Sequence, residues 1–355
     1  MENIENVVAN QRAYYLSGVT KDLNFRIKNL KKIKELLYKY KDKFKEAFIL
    51  DFNKHEFDFL STEFLLIIDE IDYMLKHINK LAKPIKKRTS ILSMKSSGYL
   101  LAEPYGVVLV MAPWNYPLQL SILPLVGALA AGNTVILKPA SYTKNVSDVI
   151  FEMFNEFANP NLVHVVLGGR EQNQALLEQH FDYIFFTGGE TVGKLVLEKA
   201  SKYLTPVSLE LGGKSPCIVF KDADIDLSAK RITWAKYLNA GQTCVAPDYV
   251  CVHKDIHDEF IRCVNKYIDK FYYDSGKIKE TFPYLINDKH KAKVLSLIDY
   301  EKVIRGGLFE DRLLHPTIID NADFNSKCMS EEIFGPILPI IPFKKIDEIG
   351  IRSLL

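Results

Sequence analysis

Gly106-Val-Val-Leu-Val-Met111 runs directly into Ala112-Pro-Trp-Asn-Tyr-Pro117. A short apolar, β-branched run without polar alternation reads as a strand buried on both faces, and the prolines behind it end the strand in a turn. Brief runs of the same kind recur at 134–137, 162–166, 183–186 and 207–209, with helical windows between them. This βαβ alternation predicts a mostly parallel sheet covered by helices on both faces. A second series follows: a strand at 217–220, a helix at 224–238, a strand at 249–252 and a helix at 257–271. The predicted fold is α/β, with a Rossmann-like parallel-sheet domain, a second α/β domain and a domain boundary near Glu210.

Upstream of Gly106, apolar residues recur at three and four. They run through Ile27, Leu30, Ile33, Leu36 and Leu37, then Phe64, Ile67, Ile68, Ile71, Met74, Leu75 and Ile78, so helices dominate the first 80 residues. Pro84 and Lys86-Lys87-Arg88 close that region, and Ser96-Ser97-Gly98 adds a turn, which fits a short hairpin or connecting arm. At the other end, Lys345-Ile-Asp-Glu-Ile-Gly-Ile-Arg-Ser-Leu-Leu355 reads as the start of a helix with no closing strand behind it.

The bulk numbers exclude several classes. Apolar residues at 48% and charged residues at 25% fit a globular chain and disfavour disorder, collagen and coiled coil. Lys and Arg total 46 against 44 Asp and Glu, so no strong field exists to hold a nucleic acid. The polar, acidic start Met1-Glu-Asn-Ile-Glu-Asn6 is not a secretory signal, and the most apolar stretch, 121–131, is too short for the ~20 residues of a membrane span. The five cysteines, Cys217, Cys244, Cys251, Cys263 and Cys328, form no CxxC pair and no zinc spacing, so no metal is expected and a reducing cytoplasm fits best. Cys217 and Cys251 lie in β-type runs and read as small buried hydrophobes.

Six segments could carry chemistry. Asn115, in the turn after 107–111, offers two N–H donors suited to a developing oxyanion, or is simply a turn asparagine. Lys138 and Ser141 end the strand in Val135-Ile-Leu-Lys-Pro-Ala-Ser141; a lysine there binds ribose or phosphate, or is a solvated surface group. Phe185-Phe-Thr-Gly-Gly-Glu-Thr-Val-Gly193 follows a strand and opens a helix, so its backbone suits a pyrophosphate, although it is not GxGxxG and also reads as a plain glycine turn. Glu210, in Leu209-Glu-Leu-Gly-Gly-Lys214, is either a carboxylate buried among leucines, with its pKa raised toward that of a base, or one turned to solvent. Cys244, in Asn239-Ala-Gly-Gln-Thr-Cys-Val-Ala-Pro247, sits in a small-residue loop open enough for a thiol to react. Ser330-Glu-Glu-Ile-Phe-Gly-Pro336 reads alone as a helix-to-strand turn with surface acids.

In this order, the six segments resemble the aldehyde dehydrogenase superfamily over roughly residues 58–343. Glu-Pro-Tyr-Gly-Val-Val at 103–108 and Pro-Trp-Asn-Tyr-Pro at 113–117 look most like its class 3 branch, which acts on fatty and aromatic aldehydes. The resemblance implies NAD(P)-dependent oxidation of an aldehyde to the acid through a cysteine thiohemiacetal and thioester. Cys244 would be the nucleophile, Glu210 the general base, and Asn115 with the Cys244 N–H the oxyanion hole. The cofactor, NAD or NADP, would contact Trp114, Lys138, Ser141, Thr187, Gly188, Gly189, Gly193, Glu332 and Phe334. Glu210 favours hydrolysis over transfer to coenzyme A.

The resemblance also divides the chain. It assigns 1–82 with 104–209 to the cofactor domain, 83–103 to a bridging and oligomerisation arm, 210–343 to the catalytic domain and 344–355 to a tail. Relatives continue for about another hundred residues, so a C-terminally truncated chain is expected, lacking the bridging segment, with a homodimer implied where that segment is present. A catalytically silent nucleotide-binding remnant is the competing reading. Two positions depart from the family. Ser141 stands where many NAD-preferring members have Glu, which removes a charge that would repel a 2′-phosphate. Gly189 stands where Ser is common, an exchange expected to be mild.

Overall fold

The computed structural model describes residues 3–349. Contacts group the chain into two compact units. The first holds the chain through Ala47 together with Phe59–Leu211, and the second holds Phe48–Asp58 and the chain from Gly212 onward.

In the first unit, helices α1 (Ile4–Leu16), α2 (Leu23–Phe52) and α3 (Leu65–Leu81) precede a small antiparallel hairpin, β1 (Ile85–Lys87) with β2 (Gly98–Leu100). The main sheet then alternates as the periodicity predicts: β3 (Val107–Met111), α4 (Gln119–Ala131), β4 (Thr134–Lys138), α5 (Lys144–Phe157), β5 (Val163–Val165), α6 (Arg170–Leu177), β6 (Tyr183–Gly188), α7 (Glu190–Ser201) and β7 (Val207–Leu211). Its order is β5-β4-β3-β6-β7, and every pairing is parallel. Chain direction across the sheet therefore reverses beside β3, the switch point where open α/β sheets bind ligands at their carboxyl ends.

All five residues of β3 are buried. Val107, Leu109 and Met111 join Ile4, Val8, Leu176 and Val196 in one core under α1, α6 and α7. Val108 and Val110 face the other side, where α4 packs on β3 and β4. Entry to β3 requires a glycine: Gly106 has φ +138°, and a Cβ there would lie 2.2 Å from Asp182 Oδ2. That carboxylate accepts the Val107 N–H and pairs with Arg12 at 2.9 Å.

The second unit contains β8 (Pro216–Val219), α8 (Ile225–Tyr237), β9 (Tyr249–His253), α9 (His257–Tyr272), α10 (Asp288–Ser296), β10 (Val303–Arg305), β11 (Thr317–Ile319) and β12 (Ile337–Phe343). Its sheet order is β10-β11-β12-β9-β8, parallel except for the β10–β11 edge pair. Val250, Cys251, Ile318, Leu338, Phe260 and Val264 form its core with α9. Cys251 is buried as expected, and burial pushes its thiol up to about 12, which leaves it inert.

Two details differ from the sequence expectation. Strand β7 carries the first unit through Leu211, and 48–58, expected in the first unit, packs with the second. The reason is local: the Asn53 amide donates to the carbonyls of Glu280 and Phe282, and the Tyr284 N–H donates to Phe52 O. Of the tail expected at 344–355, residues Ile346–Ile349 form a single 3-10 turn, and 350–355 lie outside the described residues.

Candidate active site

In the first unit, parallel register delivers the candidate residues to one edge of the sheet. Met111 pairs with Lys138 on one side and Phe186 on the other, and Thr187 pairs with Glu210. The loop carrying Trp114 and Asn115, the Lys138–Ser141 turn, the Thr187–Gly188–Gly189 turn and Glu210 thus all leave the sheet at its carboxyl end. Asn115 is 3% exposed. Lys138 is equally buried; its Nζ donates to Pro139 O at 2.7 Å, and burial lowers its pKa to about 8. Ser141 is exposed.

The glycines of the turn differ in their surroundings. A Cβ on Gly188 would sit 2.6 Å from the Phe186 ring, and one on Gly193 would sit 2.8 Å from Leu211 Cδ2, so Gly193 lets α7 approach β7 closely. A Cβ on Gly189 would meet nothing within 4 Å, so this position is open to serine.

Glu210 corrects a sequence expectation. The carboxylate reasoned to be buried among leucines is exposed, because β7 is the edge strand of its sheet. The alternative, a glutamate turned to solvent, is the one the structure adopts.

In the second unit the candidate residues lie at the opposite end of the strands, ahead of the amino ends of β9 and β12. Cys244 is partly buried and precedes β9, and Val245 next to it is 78% exposed. The turn before it is tight. Asn239, Ala240 and Gly241 are consecutive left-handed residues, and a Cβ on Gly241 would lie 2.2 Å from Gly335 O. Gln242 is fully buried and locks this turn: its Nε2 donates to Asn239 O and Tyr284 O, and its Oε1 accepts the Ile286 N–H. None of the five cysteines is in a disulfide.

The close approach of Gly241 to Gly335 brings the Cys244 loop against the 332–336 turn. Glu332 is not the surface acid its segment suggests: it is half-buried, a Cβ on Gly212 would lie 2.1 Å from its Oε2, and burial raises its pKa. Phe334 holds φ +51°, with its carbonyl 2.8 Å from His290 Nε2. Burial lowers His290 to about 4, so the ring is neutral and donates this bond.

Sequence reasoning missed the residues that hold these loops. Lys214 forms an ion pair with Asp248 and donates to Cys328 O at 2.7 Å and Glu331 O at 2.9 Å. Asp248 also accepts the Ile333 N–H at 3.0 Å. In the first unit, Glu63 is fully buried on a π-helical turn, Leu60–Phe64, and accepts the Gln119 N–H at 2.9 Å. That contact satisfies the first backbone N–H of α4, in the segment that follows the Asn115 loop. A glutamate inside an apolar run was the one available signal for it.

The family model described as the aldehyde dehydrogenase family matches residues 2–353, wider than the span the motifs suggested. The chain belongs to the aldehyde dehydrogenase family. Within that family its relatives include aldehyde dehydrogenase family 3 member A2 of Pongo abelii, 40% identical over 97% of this chain and 72% of the relative. The dimeric NADP-preferring aldehyde dehydrogenase of Mus musculus is 38% identical over 98% of this chain and 77% of the relative. Among solved aldehyde dehydrogenases, the substrate-bound state of Staphylococcus aureus AldH superposes with a TM-score of 0.95 at 38% identity, over 98% of this chain and 77% of that one. The fold and the class 3 resemblance expected from sequence are thus those of its relatives. Among the described residues no helix is long and apolar enough to cross a membrane, and no group of three His, Cys, Asp or Glu is placed to hold a metal ion.

Proposed function

We propose that the chain oxidises an aldehyde, medium- or long-chain aliphatic or aromatic, to the carboxylic acid with NAD or NADP. The observation that carries this reading is the parallel register placing Lys138, Gly188 and Glu210 at one edge of a sheet whose direction switches beside Asn115. Similarity to family 3 and NADP-preferring relatives supports the substrate and cofactor class.

The residues present fit a dinucleotide. Gly188 and Gly189 leave the start of α7 bare of side chains, and the Glu190 carboxylate in its first turn is drawn to Lys194 at 2.6 Å. Lys138 would hold the adenosine ribose, with Ser141 beside it leaving room for a 2′-phosphate. The backbone at Thr187, Gly188 and Gly189 would face the pyrophosphate, and Gly193 would let the helix pack closely behind it. Trp114, Glu332 and Phe334 would contact the nicotinamide end. A bound NAD or NADP supplies the acceptor for the aldehyde hydride.

The protein's own steps are nucleophilic and acid–base. The Cys244 thiolate adds to the carbonyl carbon, and the carbonyl electron pair moves to oxygen, which receives N–H bonds from Asn115 and the Cys244 backbone. Once oxidised, the adduct is a thioester on Cys244. Glu210 takes a proton from the water that attacks this thioester, and the Cys244 thiolate leaves. An exposed carboxylate suits that task, because it returns its proton to solvent between turnovers.

The arm at 83–103 carries Ile91, Leu92, Met94 and Tyr99 exposed, a surface suited to pairing with a second copy. The test of the main reading is direct: mix the purified chain with NAD or NADP and a panel of aldehydes, and follow absorbance of the reduced cofactor. Aldehyde-dependent reduction that disappears in Cys244→Ala supports the reading. Reduction that persists in that variant sinks it.

A further inference from the structure

Helix α10 supports the 331–335 turn along one face. Lys293 and Val294 follow His290 by three and four residues, so the three side chains share one side of the helix. Each meets the turn at a different point. His290 Nε2 lies 2.8 Å from Phe334 O; a carbonyl only accepts, so Nε2 carries the proton. The two rings also meet edge to face, with centroids 6.0 Å apart and planes at 78°. Lys293 pairs with Glu331 at 2.7 Å, and Val294 Cγ1 would stand 2.6 Å from a Cβ on Gly335. His290 is itself fixed from behind, because its backbone N–H donates at 2.8 Å to the Asn287 side chain that caps the helix.

What this face holds in place is a conformation the chain resists. Phe334 has φ +51°, in the left-handed region that an aromatic residue rarely enters. Such a residue keeps its geometry only where its surroundings over-determine it, and these residues cluster at ligand sites. Gly335 is pressed by the 239–241 turn as well, where a Cβ on Gly241 would lie 2.2 Å from Gly335 O. The side chain of Gln242, next in the chain, donates to Tyr284 O and accepts the Ile286 N–H, immediately ahead of α10. The segment 284–294 therefore braces both the loop that carries Cys244 and the turn that carries Phe334.

We propose that His290 is a positioning residue for the nicotinamide end of the dinucleotide: its bond to Phe334 O and its edge-to-face contact hold Phe334 left-handed, and so fix the surface that the nicotinamide ring meets. This rests on the reading of Phe334 as a nicotinamide contact. Without the donor, the Phe334 carbonyl turns to another partner, φ relaxes to the ordinary negative range and the aromatic ring leaves its place. The contacts proposed for the adenosine ribose and pyrophosphate, at Lys138 and Gly188, do not involve this turn. Only the nicotinamide half of the ligand should feel the change.

The test is equilibrium binding of two ligands that differ only in the nicotinamide. NAD and ADP-ribose are titrated by calorimetry against the wild type, His290→Phe and His290→Gln. The first variant keeps a ring and removes the donor, and the second offers an amide N–H at similar reach. His290→Phe should bind NAD about fivefold more weakly, the worth of one hydrogen bond, with ADP-ribose unchanged within about twofold. His290→Gln should recover most of the NAD affinity. His290→Phe binding NAD as tightly as the wild type overturns the proposal, and so does an equal loss for both ligands, which is what a merely structural role would give. A His290→Gln no tighter than His290→Phe also overturns it. Phe334→Ala checks the premise separately: if it leaves the ratio of NAD to ADP-ribose affinity unchanged, Phe334 is no nicotinamide contact and the proposal fails with that reading. A wild type that binds neither ligand fails the cofactor reading as a whole, and the proposal with it.

Discussion

The two main sheets place their candidate residues at opposite ends of their strands and hold them by different means. In the first unit, Asn115, Lys138, the Gly188 turn and Glu210 leave the carboxyl ends of strands in continuous register, so the backbone ladder does the positioning. In the second, Cys244 and Glu332 stand ahead of the amino ends of β9 and β12, on loops fixed by side chains: Gln242, Lys214 and Asp248. The difference teaches where each half is fragile. A backbone-held edge tolerates side-chain exchange away from the ligand, whereas a side-chain-held loop fails when one polar partner is removed.

The largest expected effect is on the second edge. Cys244→Ala should abolish aldehyde oxidation, by at least about 10⁴-fold in kcat, with dinucleotide binding intact by fluorescence titration. On the first edge, Glu210→Gln should lower kcat by about 10³-fold while a first burst of reduced cofactor survives in stopped-flow, since oxidation precedes the step it serves. Loss of the burst as well would mean that Glu210 acts earlier.

Asp248→Ala probes the side-chain lock directly. It strips the Lys214 ammonium of its carboxylate and the Ile333 N–H of its acceptor, and should cost about 3 kcal/mol in urea unfolding. A cost no greater than that of a surface exchange would erase the contrast between the two edges. Ser141→Glu, beside the backbone-held turn, should weaken NADP binding about a hundredfold, roughly 2.7 kcal/mol, and leave NAD nearly unchanged. The native chain should not prefer NAD over NADP by more than that factor in kcat/KM. Gly189→Ser should be the mildest: the space is open, no side chain caps α7 there, and a gain of a few tenths of a kcal/mol is expected by thermal melt.

The sequence by itself determined the βαβ order of the first unit, because runs such as 107–111 and 134–137 carry apolar residues on both faces and only a covered parallel sheet buries both. It also determined which segments carry chemically unusual residues, because thiols in small-residue loops and glycines at strand ends stand out locally. Tertiary structure alone decided that β7 is an edge strand and leaves Glu210 exposed, that 48–58 packs with the second unit, and that Glu332 is half-buried. It alone joined Lys214 to Asp248 and left the buried Lys236 Nζ with no hydrogen-bond partner among the described residues. The reason is physical: periodicity reports the faces of one element, but a buried polar contact depends on which distant segment arrives opposite, and Lys214, Asp248 and Ile333 meet across separations that no local pattern encodes.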